Sequence, residues 1–161
     1  MIRKLFPSFL IAIMMGFTVC PLALKAENTL TPPQVLVAPE EQSVSDDPYF
    51  QWIVEKQASG LSPESAKIEY LIERIRHSQY NFIRNNVPYD ATHAAEHLSW
   101  KYGLARKRIK TADDFIQLVA TKSIESGLPY LVKLPDGKTY ATGDVLTNEL
   151  HRLESLLQKS R

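Results

Sequence analysis

The chain has 161 residues, with 19 Lys and Arg against 18 Asp and Glu, a formal charge of +1. That balance excludes a protein that binds nucleic acid or anionic membrane through a general basic surplus. Its single cysteine excludes an internal disulfide, and 44% hydrophobic residues suffice for one domain with its own core.

Met1 to Ala26 has the parts of a secretory signal peptide. Arg3 and Lys4 form a basic head, Leu5 to Leu24 an apolar run, and Ala23-Leu24-Lys25-Ala26 a small-residue cleavage site. The run approaches the roughly 20 residues that span a bilayer, but Pro7, Gly16 and Pro21 interrupt it. The expectation is a leader removed before Glu27, export to the periplasm and no stable membrane span afterwards. If the leader instead stays as an anchor, the positive-inside bias still exports the body. Val19 before Cys20 and Pro21 after it argue against lipidation. Removal of the leader takes Arg3, Lys4, Lys25 and Cys20, leaving 16 basic against 18 acidic residues.

Residues 27–47 carry Pro32, Pro33 and Pro39 among polar and acidic residues, with Val35-Leu36-Val37 as the apolar interruption. That composition predicts a tether. Tyr49, Phe50, Ile53 and Val54 then recur at helical spacing until Gly60. Ser62 as cap, Pro63 at the first helical position and Glu64 open a second helix, with Ile68, Leu71, Ile72 and Ile75 on one face. It is expected to end near Ser78.

Asp90 caps the next helix, which carries Ala91, Ala94, Ala95, Leu98 and Tyr102 and is expected to end before Gly103. Thr111-Ala112-Asp113-Asp114 resembles a capping box with Asp for Glu and opens a helix through Phe115, Ile116, Val119 and Ala120. After Gly127 the pattern changes. Tyr130 to Leu134 and Lys138 to Thr142 flank the turn residues Pro135-Asp136-Gly137, which predicts a β-hairpin. An isolated hairpin is marginal in water, so Tyr130, Val132 and Leu134 are expected to lie against the helices. A last helix from about Asp144 packs through Leu146, Leu150, Leu153 and Leu157. The fold class is therefore mainly α (α+β): one compact domain over 48–161, of about four to five helices, with one hairpin before the C-terminal helix.

Phe82-Ile83-Arg84-Asn85, Tyr89, Ala94-x-x-His97-Leu98-x-x-Lys101, Ile109-x-Thr111-Ala112-x-x-Phe115-Ile116, Ala120, Ser123 and Gly127-x-Pro129-Tyr130 carry a resemblance. Over about residues 64–150 the chain resembles the YfeK-like family of small exported bacterial proteins, a domain of unknown function. The resemblance implies a periplasmic address and one compact domain, and it implies no reaction. The chain departs from the family pattern at Asn86, where glycine is usual, and at Ile124, where a second serine usually follows Ser123. Asn tolerates positive φ, so the turn can survive the first change.

His93-Ala94-Ala95-Glu96-His97 matches the H-x-x-E-H pattern of inverted zinc peptidases, with histidines four apart on one helix face and Glu96 as general base. Glu125, Glu149 or Glu154 would have to supply a third ligand, and none sits in a recognisable motif. Ser123 and Ser126 lack the G-x-S-x-G elbow of a serine hydrolase. The basic run Arg106-Lys107-Arg108-Ile109-Lys110 reads as cations collected after a helix C-terminus.

The preferred constellation is Arg84 and Asn85 after the first long helix, His97 and Lys101 one turn apart on the next, and Tyr130 opening the hairpin. Arg84 offers a planar fork to a carboxylate or phosphate, and Lys101 adds a point charge. The sequence thus points to an exported, non-catalytic binding or envelope-accessory module. No cofactor or metal is implied, and its partner is an unknown periplasmic protein or an anionic envelope ligand. A zinc-dependent hydrolase built on His93, Glu96 and His97 is the alternative.

Overall fold

The computed structural model describes Leu36 and residues 48–159. The leader over 1–26, and the 27–47 stretch apart from Leu36, lie outside the described residues. Helix α1 (Pro48–Ala58) buries Phe50 and Ile53, whereas Val54 stays exposed and Trp52 packs against the core instead. In α2 (Pro63–Arg76) the Ser62 hydroxyl accepts the Ser65 N–H, and Pro63 sits in the first turn where no backbone donor is needed. Its expected face of Ile68, Leu71, Ile72 and Ile75 is buried. Each such side chain contributes roughly 1.5–3 kcal/mol relative to exposure.

Strands β1 (Asn81–Arg84) and β2 (Val87–Tyr89) follow, pairing antiparallel with Arg84 opposite Val87. Asn85 and Asn86 alone make the turn, with φ of 53° and 64°. A two-residue hairpin turn needs left-handed backbone at both positions, which Asn enters more easily than most residues.

Helix α3 (Ala91–Ala105) starts at Asp90, whose carboxylate accepts the His93 N–H at 2.8 Å. It runs past Gly103, where the sequence suggested a stop. Tyr102 and Ala105 on either side of the glycine both pack on the core, and that burial outweighs the roughly 1 kcal/mol cost of a helical glycine. Arg106, Lys107 and Arg108 then face water while Ile109 is buried, as expected for cations gathered beyond a helix C-terminus.

Short helix α4 (Ala112–Phe115) carries the expected capping box: Thr111 accepts from Asp114 N, and the Asp114 side chain accepts from Thr111 N. It continues as a π-helical turn over Ile116–Ala120 rather than as the plain α-helix predicted. The Thr121 hydroxyl donates to the Ile116 carbonyl at 2.7 Å, satisfying one acceptor that the wider turn frees.

The predicted hairpin forms as β3 (Leu131–Lys133) and β4 (Thr139–Ala141), and α5 (Thr142–Lys159) follows with no intervening loop. The two hairpins join in one antiparallel sheet of order β2-β1-β3-β4, with Phe82 opposite Val132. The mainly helical α+β class is as read from the sequence. The sheet exceeds expectation because Phe82 to Tyr89, taken as a connection, forms two of its strands. Phe82, Tyr130 and Val132 are buried, as are Leu146, Leu150 and Leu153 of α5.

Under α2 and α5 the fold buries the Glu149 carboxylate completely. It accepts from Tyr70 Oη at 2.7 Å, from Arg74 Nε at 3.1 Å and from the Leu36 backbone N–H at 3.2 Å. Leu36 is itself only 4% exposed, so at this residue the stretch read as a tether is held to the domain.

Candidate functional site

Four of the five expected site residues meet where β1, α3 and the entry to β3 converge. Tyr130 is the hub. Its hydroxyl lies 3.2 Å from His97 Nε2 and 3.2 Å from Lys101 Nζ, and Arg84 and Ser123 act to lower its pKa against the effect of burial. The i, i+4 spacing of His97 and Lys101 places both on the α3 face turned toward the sheet.

Lys101 differs from its expected role as an open point charge. It is 5% exposed, and its ammonium donates to the Val119 carbonyl, to the Lys122 carbonyl at 3.1 Å and to Tyr130 Oη. An ammonium has three donors, so all are committed within the protein. The two carbonyls belong to the end of the π-helical turn and the residues just past it, where a cation offsets the exposed acceptor end. Lys101 therefore pins that turn to α3 and holds Tyr130.

Asn85 stands apart from the cluster. Its side-chain carbonyl accepts from Ser126 Oγ at 2.6 Å, tying the β1–β2 turn to the loop before β3. Ser126 also accepts the Leu128 N–H, and buried Ser123 accepts the Gly127 N–H through its carbonyl. Both serines thus shape the loop that delivers Tyr130.

The electrostatics are those of a cationic site short of carboxylate. Burial, followed by Arg84 and Lys101, lowers the His97 pKa and favours its neutral ring. Burial, with Arg84 adding to it, brings Lys101 down to about 8. Burial raises Tyr130, so its hydroxyl remains protonated. The nearby carboxylate is Glu125, mostly exposed, 3.5 Å from the Arg84 guanidinium.

A cavity of about 230 Å³ opens beside this cluster. Phe82, Ile83, Tyr89 and Leu98 give it apolar walls, and Arg84, His93, His97, Tyr130 and Thr142 supply its polar groups. Arg84 Nε and Thr142 Oγ1 are buried and make no hydrogen bond within the protein. A second cavity of about 510 Å³ shares Arg84, His97 and Tyr130 with the first. The sequence reading missed Thr142, because nothing in its neighbours marks the junction of β4 and α5 as part of a site. It also missed the walls from β1 and β2, for want of a strand signal.

The zinc constellation does not assemble. His93 is largely exposed and pairs with Asp90 at 2.8 Å, which raises its pKa, and Glu96 is exposed. The suggested third ligands are engaged elsewhere: Glu125 with Arg84, Glu149 with Tyr70 and Arg74, Glu154 with Lys67. Among the described residues no three His, Cys, Asp or Glu side chains gather to hold a metal ion. Nor is any helix among them long and apolar enough to cross a membrane.

Comparison with known proteins gives one family match, the family of unknown function DUF5329, over residues 62–154. The uncharacterised protein YfeK of Salmonella typhimurium is 37% identical over 68 residues, 42% of this chain and 57% of that protein. The chain thus spans just over half the length of that curated relative. No solved structure matches.

Proposed function

Taking as premise that the chain belongs to the family of unknown function DUF5329, we propose that it is an exported, non-catalytic binding module whose cleft accepts a small organic anion. The carrying observation is the pair Arg84 Nε and Thr142 Oγ1, two buried donors without protein partners on the edge of one apolar cavity. A buried donor left unpaired costs roughly 1–3 kcal/mol, and a ligand oxygen bonded to either would recover much of it. The guanidinium gives the anion a planar fork, neutral His97 offers a further polar contact, and Lys101 adds positive potential from behind Tyr130. The apolar walls from β1, β2 and α3 fit the body of the ligand, in keeping with small-molecule sites that pair apolar surface with a few placed polar groups. Export rests on the leader, whose basic head, apolar run and small-residue cleavage site precede Glu27.

The test is a binding survey of small carboxylates and inorganic phosphate by calorimetry and amide chemical shifts, on the parent protein and on Arg84→Ala. We expect saturable binding with shifts at Thr142 and His97, weakened at least tenfold by Arg84→Ala while the folded spectrum is kept. Binding that ignores Arg84→Ala, or no anion binding at all, would reject the reading.

A further inference from the structure

The 510 Å³ cavity runs along the outer side of the cluster, and its walls are apolar side chains left in water. Trp100 and Leu104, one turn apart on α3, form one wall, at 61% and 70% exposure. Leu118 of the π-helical turn and Ile124 of the following loop form the other, at 45% and 83%. Large apolar side chains gathered at this exposure mark a surface that meets something apolar. The lining also carries the cations Arg84, Lys101 and Arg108 against the one carboxylate of Glu125. Arg84, His97 and Tyr130 line both cavities, so the Arg84 edge borders this groove as well as the smaller pocket.

We propose that this groove binds a fatty carboxylate, with its head on Arg84 and its chain laid along Trp100, Leu104, Leu118 and Ile124. The inference rests on the anion-accepting reading and adds the ligand class to it. Charge complementarity selects the anionic head, and the apolar walls select the chain. The volume of about 510 Å³ falls in the range of small-molecule clefts.

The experiment titrates the protein, purified after expression of the full chain, with acetate, hexanoate, decanoate and dodecanoate below their micellar concentrations. Methyl decanoate and a lysophospholipid serve as comparison ligands. Calorimetry reads affinity, and Trp100 emission is read in a Trp52→Phe background, which leaves Trp100 as the only tryptophan outside the leader and tether. Expected are one-to-one binding, a blue shift of Trp100, and affinity that rises about fourfold for each methylene entering the groove. Leu104→Asp, at an exposed position, should remove that chain-length gain and leave the far-ultraviolet spectrum unchanged. Arg84→Ala should erase the preference for decanoate over its methyl ester.

Arg84-dependent binding of acetate with no gain from longer chains would overturn this inference and leave the anion site standing. A methyl ester bound as tightly as the acid, indifferent to Arg84→Ala, would overturn the anion reading and the carboxylate with it. Tighter binding of the lysophospholipid would overturn the choice of a fatty acid. A Trp100 shift that follows protein concentration alone, with a dimer in sedimentation, would give the groove to a second copy. Absence of binding to every probe would end the proposal.

Discussion

Lys101 sits at a helix position that, by spacing alone, is free to face water, yet it is almost fully covered and its three donors are spent on Val119, Lys122 and Tyr130. Its charge state is therefore linked to folding. Burial, reinforced by Arg84, lowers it from 10.5 to about 8, so between those values the folded chain binds fewer protons than the unfolded one. Unfolding free energy then rises with pH across that window, is flat below it where both states are charged, and reaches its full value above the unfolded pKa. Tyr130, which burial raises from 10.0, holds its proton over most of that window and opposes the effect only from about pH 10 upward, equally in wild type and in a Lys101 variant. Comparison of urea midpoints for wild type and Lys101→Met at pH 7 to 10 should show the wild type gaining relative to the variant above about pH 8. Parallel curves would mean that Lys101 titrates as in the unfolded chain. At pH 7 the variant should lose about 2 kcal/mol, because methionine leaves three acceptors without their donor.

At the scale of elements, the β1–β2 hairpin decides where Arg84 points, and its turn depends on two consecutive left-handed asparagines. Alanine in that conformation costs roughly 1–2 kcal/mol, whereas glycine enters it freely. Asn86→Ala should therefore lower stability by about 1 kcal/mol in urea unfolding, and Asn86→Gly should stay within about 0.5 kcal/mol of wild type. Equal tolerance of both would rule out the left-handed turn. The helices were legible because Ser62-Pro63, Asp90 and Thr111–Asp114 are local signals, each satisfying free N–H groups within its own first turn. The first hairpin was not, since Val87-Pro88-Tyr89 is exposed along its length and shows no alternation of buried and exposed residues. The π-helical turn was equally hidden, because its apolar residues Ile116, Val119 and Ala120 also fit an α-helical face.

For the whole molecule, the proposed export rests on residues 1–26 having the parts of a leader. Those parts predict that mass spectrometry of the protein recovered from the exporting cell finds an N-terminus at Glu27. A full-length chain recovered only with membranes would favour a retained anchor. The sequence grouped Arg84, Asn85, His97, Lys101 and Tyr130, and the fold brings all but Asn85 together. Their roles separated only when the chain folded. The sequence by itself determined the helix starts, the second hairpin, the apolar faces and the mainly helical α+β class, because caps, turns and periodicity act over a few residues. Tertiary structure alone decided that Lys101 is buried, that Asn85 braces a loop, that Glu149 is sealed under Leu36, and that Thr142 joins Arg84 on one cavity. Desolvation and hydrogen-bond partnership depend on neighbours distant in the chain, and no local pattern records them.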